Sequence, residues 1–218
     1  MKFTKPEKSW ILYDVANSAY ILLVTSVIPV YFHALTAAEG ISADRSTGIW
    51  GILTSISVIF LAVASPVLGA IADLKGRKMK LFVSFLFIGL LGCLGLIISD
   101  KWLGFGILFV ISRIGYSACN VFYDSMLVDV TSDERMNALS THGYAWGYVG
   151  STIPFIAGIL FISFGESFGI SSALAVKIAM GITLVWWAIL SVPLIRNVKQ
   201  TYFIEPTDKI VSQTFRNV

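Results

Sequence analysis

Charged side chains are scarce in this sequence. They make up 13% of its 218 residues, about half the share of an average globular chain. A chain so poor in charge cannot coat a water-facing surface over most of its length, which excludes an ordinary soluble enzyme. Hydrophobic residues fill 56% of it and the mean hydropathy is +0.79, which excludes a disordered chain. Cysteine is scarce too: only Cys93 and Cys119 are present, both inside apolar runs, so the chain is no secreted disulfide scaffold. His142 stands without a His or Cys cluster of ligand spacing, so no metal and no cofactor is expected. No apolar run presents a nucleophile paired with a base, and an enzyme is not expected. Composition leaves a polytopic membrane protein.

Long hydrophobic runs are what the chain has. A helix of about 20 mostly apolar residues crosses the hydrocarbon core, and six segments meet that length: 10–35, 49–72, 81–99, 102–126, 139–164 and 172–195. The first is too long for a signal-peptide core and ends in no small-residue cleavage site, so it is expected to stay in the mature protein. Most of the 16 basic residues fall on one side of this arrangement, including Lys209 and Arg216 near the end of the chain, whereas Arg45 and Lys101 fall on the other. That bias places both termini in the cytoplasm and accounts for the formal charge of +3 without nucleic acid. Short loops make consecutive helices antiparallel neighbours. The polar stretch 196–218 reads as a cytoplasmic tail, the start of a linker. Thr131 and Glu134 have capping-box spacing and are expected to start the fifth helix. Trp186 and Trp187 read as an interfacial belt, and Lys177 as an anchor reaching the headgroups.

Ionisable groups inside a bilayer cost at least a few kcal/mol each, so each needs a partner or an aqueous cavity. Arg113, Ser117, Asn120 and Asp124 recur on one face of the fourth helix. Asp14, Asn17 and Ser18 mark the first. Either these residues line a solute or proton pathway, or Arg113 forms a structural ion pair, for example with Asp14 or with an acid on a missing partner helix. Gly143, Gly147, Gly150 and Pro154 form a small-residue seam for close helix packing on the fifth run, with the proline suited to a bend.

Between the second and third runs stand Gly69, Asp73, Gly76, Arg77 and Lys78. Gly76 permits a sharp reversal, and Asp73 can pair with a base or a helix N-terminus. In this position the string resembles the signature loop of the major facilitator superfamily, with Leu74 where a basic residue is usual. Tyr13-Asp14-x-Ala16-Asn17-Ser18, the Phe122–Asp124 and Ser132–Arg135 stretches, and the glycine row from Gly143 to Gly150 resemble its vacuole-effluxer-like branch, which includes autophagy-related amino-acid exporters. The resemblance implies an all-α fold: the amino-terminal six helices of a twelve-helix protein, built as two inverted three-helix repeats. It implies a gate role for the loop. It also implies secondary active transport of a small polar solute, amino acids among the candidates, by alternating access with proton coupling in a plasma or inner membrane. The partner would be a carboxy-terminal six-helix half or a second copy. The alternative is a non-transporting half acting as scaffold or inhibitor, which solute flux would separate from a transporter.

Overall fold

Pro29 has no N–H to give the Thr25 carbonyl, and the first helical segment breaks just before it. α1 runs Lys5–Ser26 and α2 runs Ile28–Ala38. The computed structural model describes residues 2–205; Lys209, Arg216 and the rest of the expected tail lie outside them. The order continues with α3 (Ala43–Ala72), α4 (Lys78–Ile98), α5 (Trp102–Ser125), the single turn α6 (Leu127–Val130), α7 (Asp133–Phe164), a 3-10 turn at Gly165–Phe168 and α8 (Ser172–Asn197). With α1 and α2 taken as one segment, six helical segments among the described residues are long and apolar enough to cross a membrane. All but α5 extend past the apolar run at one end or both, because helical hydrogen bonding continues through polar terminal turns that hydropathy leaves out.

α1 packs against α7 and α8, α5 against α4 and α3, α4 against α8, and α7 against α8. Exchanging the first three membrane segments for the last three maps most of these pairings onto one another: one–five onto four–two, one–six onto four–three, and three–six onto itself. Three crossings reverse the chain an odd number of times, so the two triplets run in opposite directions, as in an inverted repeat.

Lipid tails are as apolar as leucine, so close backbone approach has to supply much of the attraction between helices. It is closest between α4 and α5. A Cβ added at Gly115 would lie 2.3 Å from the Gly89 nitrogen, and one at Gly92 would lie 2.5 Å from the Ser112 nitrogen. Ser112 is fully buried; its hydroxyl donates to the Gly89 carbonyl at 3.1 Å and accepts from Tyr20 at 2.9 Å. Gly115→Val should therefore cost at least about 1–3 kcal/mol, because the obstructing atoms are backbone and cannot rotate away. Thermal unfolding in detergent reads this as a lowered midpoint. Gly48→Ala is the control, since a Cβ there meets open space; an equal fall in both variants would contradict the close-approach argument.

Two expectations are corrected. Trp187 is fully buried rather than interfacial, its ring 5.0 Å from that of Tyr20 and 6.0 Å from that of Tyr116, and the Trp186 indole donates to the Val15 carbonyl at 3.2 Å. The face of α8 that packs on α1 and α4 needs bulk, and these rings fill it. The capping box at Thr131 and Glu134 does not form: Ser132 takes the N-cap position of α7 without a side-chain bond. Thr131 instead donates to Glu7 at 2.7 Å, because Glu7, 2% exposed, needs donors. A capping box forms at Thr4 and Glu7, at the start of α1.

Candidate functional site

A cavity of about 320 Å³ opens among α1, α5 and α7. α1 contributes Asp14, Asn17 and Ser18, one turn below Trp10; α5 contributes Asn120 and Asp124; α7 contributes Ser140, Tyr144, Tyr148 and Ser151. Five of the seven residues expected to form a polar pathway thus share one cavity. Arg113 and Ser117 are not among its walls. Arg113 lies two turns along α5 from Asn120, its guanidinium 5.8 Å from the centre of the Tyr116 ring, and its Nη1 is buried without a hydrogen-bond partner.

The glycine seam of α7 gives Asp14 its place. A Cβ at Gly143 would lie 3.2 Å from Asp14 Oδ2 and 2.7 Å from the Trp10 ring. One at Gly147 would lie 3.0 Å from the Ser18 hydroxyl, and one at Gly150 would lie 2.4 Å from Val15. Pro154, also buried, leaves the Gly150 carbonyl without its helical donor. Trp10 stacks on Tyr123 at 4.5 Å and donates to its carbonyl at 3.1 Å, which holds one aromatic wall in place.

The ion pairs among the described residues are Lys75–Glu205, Lys78–Asp129, Lys101–Glu39, Arg135–Glu7 and Lys177–Asp100. The structural pair weighed for Arg113 and Asp14 is therefore absent among them, and Asp124 is equally free of one. Lys177 does reach the end of the bundle, where it meets Asp100 at 2.5 Å.

In the α3–α4 loop, Gly76 adopts φ +68°, a left-handed turn that a side chain would strain. Asp73 is exposed and caps the C-terminus of α3; its side chain takes part in none of the ion pairs above. Arg77 is exposed, and the Gly69 Cβ position is open. Lys78 behaves differently from its neighbours. It is buried and meets Asp129 at 2.7 Å and the Ser125 carbonyl at 3.1 Å. The other carboxylate oxygen of Asp129 accepts from the Thr201 and Tyr202 backbone N–H groups at 2.7 and 3.0 Å. The chain after α8 then pairs with the loop, Ile204 donating to the Asp73 carbonyl at 2.8 Å and accepting from Lys75 at 3.1 Å.

Two parts of this site are not marked by the sequence pattern. The aromatic wall comes from separate helices, and its local signals are only that Trp10 lies one turn from Asp14 and that Tyr144 and Tyr148 share a helix face. Asp129 is the other part, because nothing local marks its partner 51 residues away.

Comparison with known proteins agrees with this architecture. The profile described as Major Facilitator Superfamily matches residues 15–214. An uncharacterized MFS-type transporter of Bacillus subtilis (strain 168), YxiO, is 41% identical over 222 residues, a match covering 100% of this chain and 52% of that protein. The multidrug resistance protein MdtG of Yersinia enterocolitica is 27% identical over 160 residues, covering 72% of this chain and 37% of its own length. MdtG of Escherichia coli is 28% identical over 152 residues, with 68% and 36% covered. The chain thus spans about half the length of YxiO and less of MdtG. A six-helix bundle with inverted packing, a polar cavity between its helices and a family match over nearly the whole chain converge: this all-α, multi-pass membrane protein belongs to the Major Facilitator Superfamily of transporters and has the fold of half a member.

Proposed function

We propose that the chain is the amino-terminal half of a secondary active transporter of the vacuole-effluxer-like branch, moving a small polar solute by alternating access coupled to a proton. The observation that carries this reading is the cavity, where Asp14, Asn17, Ser18, Asn120 and Asp124 meet on helices long and apolar enough to cross a membrane, in which ionisable groups need a partner or water. Asp14 and Asp124 are the groups there able to take up and release a proton. Arg113, with Ser117 on the same helix face, belongs to the same pathway in this proposal. The resemblance makes amino acids the first solutes to try, and the relatives named for multidrug resistance make drugs the second. The far wall of the cavity belongs to a second six-helix unit, either the other half or a second copy, and the stretch 196–218 is taken as the start of a linker. Both ends lie in the cytoplasm and the membrane is the plasma or inner membrane.

Flux tests the proposal. The native protein, reconstituted in vesicles with an imposed proton gradient, should accumulate labelled solute, and a protonophore should abolish the accumulation. No gradient-driven flux of either solute class would favour a scaffold instead.

The loop with Asp73 serves as a gate. A carboxylate at a helix C-terminus faces the negative end of the helix dipole, costing a few tenths of a kcal/mol or more, and Asp73 forms no ion pair among the described residues that would offset it. Asp73→Asn should change turnover and leave KM for transport nearly unaltered. A changed KM at constant turnover would place Asp73 in solute binding.

A further inference from the structure

The cavity combines acidic and aromatic side chains with no basic one. Asp14 and Asp124 line it; Lys, Arg and His do not appear in its walls among the described residues. Neither carboxylate has a counter-ion there. Two further polar atoms at the site lack partners. Tyr123 is only 4% exposed and lines the cavity, yet its hydroxyl makes no hydrogen bond, and the Asn120 Oδ1 is buried without a donor. Asn120 Oδ1 and the carboxylates are acceptors, so the group that satisfies them must bring N–H or O–H donors. Around them stand the rings of Trp10, Tyr116, Tyr123, Tyr144 and Tyr148, whose faces attract cations.

An anion in this space would meet two carboxylates without a compensating charge. Arg113 does not supply one, since its guanidinium lies against Tyr116 outside the cavity walls. His142, the nearest basic side chain along α7, bonds the Ala138 carbonyl at 2.7 Å and packs edge-on against Phe3. A bare metal ion does not fit well either: no group of three or more His, Cys, Asp or Glu side chains able to hold one occurs among the described residues, and the volume falls in the range of small-molecule sites, roughly 300–1,000 Å³.

We propose that this cavity selects organic ammonium ions: solutes with a protonated amine on an apolar or aromatic body, with Asp14 and Asp124 as counter-ions, Asn120 accepting an N–H and the aromatic rings holding the body. This deepens the transporter reading and rests on it for the route by which the solute leaves.

The test compares three probes that share a phenyl body: phenethylamine, which is cationic at neutral pH, neutral 2-phenylethanol and anionic 3-phenylpropionate. Binding to the native protein in lipid nanodiscs is read from displacement of labelled phenethylamine and from tryptophan fluorescence, Trp10 being in the wall. Phenethylamine should bind about tenfold or more tightly than 2-phenylethanol, the size of a charge-assisted hydrogen bond, and 3-phenylpropionate should bind weakest. Asp14→Asn should reduce that preference, lowering phenethylamine affinity by a larger factor than 2-phenylethanol affinity. Asp124→Asn provides the same readout should the first variant fail to fold. Equal affinity for the amine and the alcohol, including no binding of either, overturns the proposal, as does a preference for the anion or an equal loss of amine and alcohol binding in the variants. Flux without charge selection would sink this proposal and leave the transporter standing. Charge-selective binding without flux would do the reverse.

Discussion

Arg113→Ala is expected to abolish transport while leaving the protein inserted, folded and no less stable in detergent. Arg113 carries a full charge within a membrane helix, and one of its guanidinium nitrogens is buried with no partner. Its visible compensation is the Tyr116 ring at 5.8 Å, and a cation–π contact contributes about 0.5–2 kcal/mol. A charge in mid-membrane costs at least about 2.5–3.5 kcal/mol, so the site is not arranged for stability. A structural arginine would show the opposite pattern, because removing half of a buried pair leaves an uncompensated charge and lowers stability. Flux in vesicles and the unfolding midpoint, measured on the same preparation, separate the two. Normal flux in Arg113→Ala would remove Arg113 from the pathway, and a large fall in the midpoint would mark it as structural.

Lys78→Met should be the most destabilising single change at the basic end of the bundle. The Lys78 and Asp129 side chains are 3% and 0% exposed and meet at 2.7 Å. Breaking a buried pair from one side costs about 3–5 kcal/mol, because Asp129 would keep its charge with only the Thr201 and Tyr202 N–H groups to hold it. Lys75, one turn away, pairs with Glu205 on the surface, at 55% and 63% exposure. Lys75→Met should therefore cost no more than about 1 kcal/mol. Adding Asp129→Leu to Lys78→Met should recover part of the loss, since no charge is then left buried. If Lys78→Met and Lys75→Met shift the unfolding midpoint equally, the buried pair does not hold this end together.

Asp129 also changes how the loop motif is understood. From the sequence, Lys78 belonged with Arg77 and Gly76 as one basic turn. In the fold the turn divides: Asp73 and Arg77 face outward, whereas Lys78 points inward to Asp129. Asp129 in turn fixes the chain after α8 through two backbone N–H groups. At the neighbouring corner, Glu7 joins α1 to α7 by accepting from Arg135 at 2.8 Å and from Thr131. The local [Ser/Thr]-x-x-Glu pattern occurs at both Thr4 and Thr131, and only the first forms a box. Tertiary demand from the buried Glu7 took the Thr131 hydroxyl away.

The polar stripe of the fourth helix shows how far periodicity reaches. Spacing alone placed Arg113, Ser117, Asn120 and Asp124 on one face, and Asn120 and Asp124 do line the cavity with Asp14, Asn17 and Ser18. Periodicity did not show that Arg113 and Ser117 lie beyond the cavity walls, because depth along a helix depends on what the neighbouring helices leave open. Nor did it give the aromatic wall, which is assembled from three helices.

Composition and hydropathy by themselves determined that this is a membrane protein with six runs long and apolar enough to cross, and the spacing of a few ionisable residues determined which helix faces are polar. These are properties of composition and of single helical segments, so a single sequence carries them in full. The tertiary structure alone decided that Trp187 is core rather than interface, that Lys78 is buried against Asp129, and that the acids share a cavity with aromatic rings and no base. Those outcomes depend on how closely Gly89 lets α5 approach α4 and Gly143 lets α7 approach α1. Helix rotation and separation are set by many distant contacts at once, and no local pattern records them.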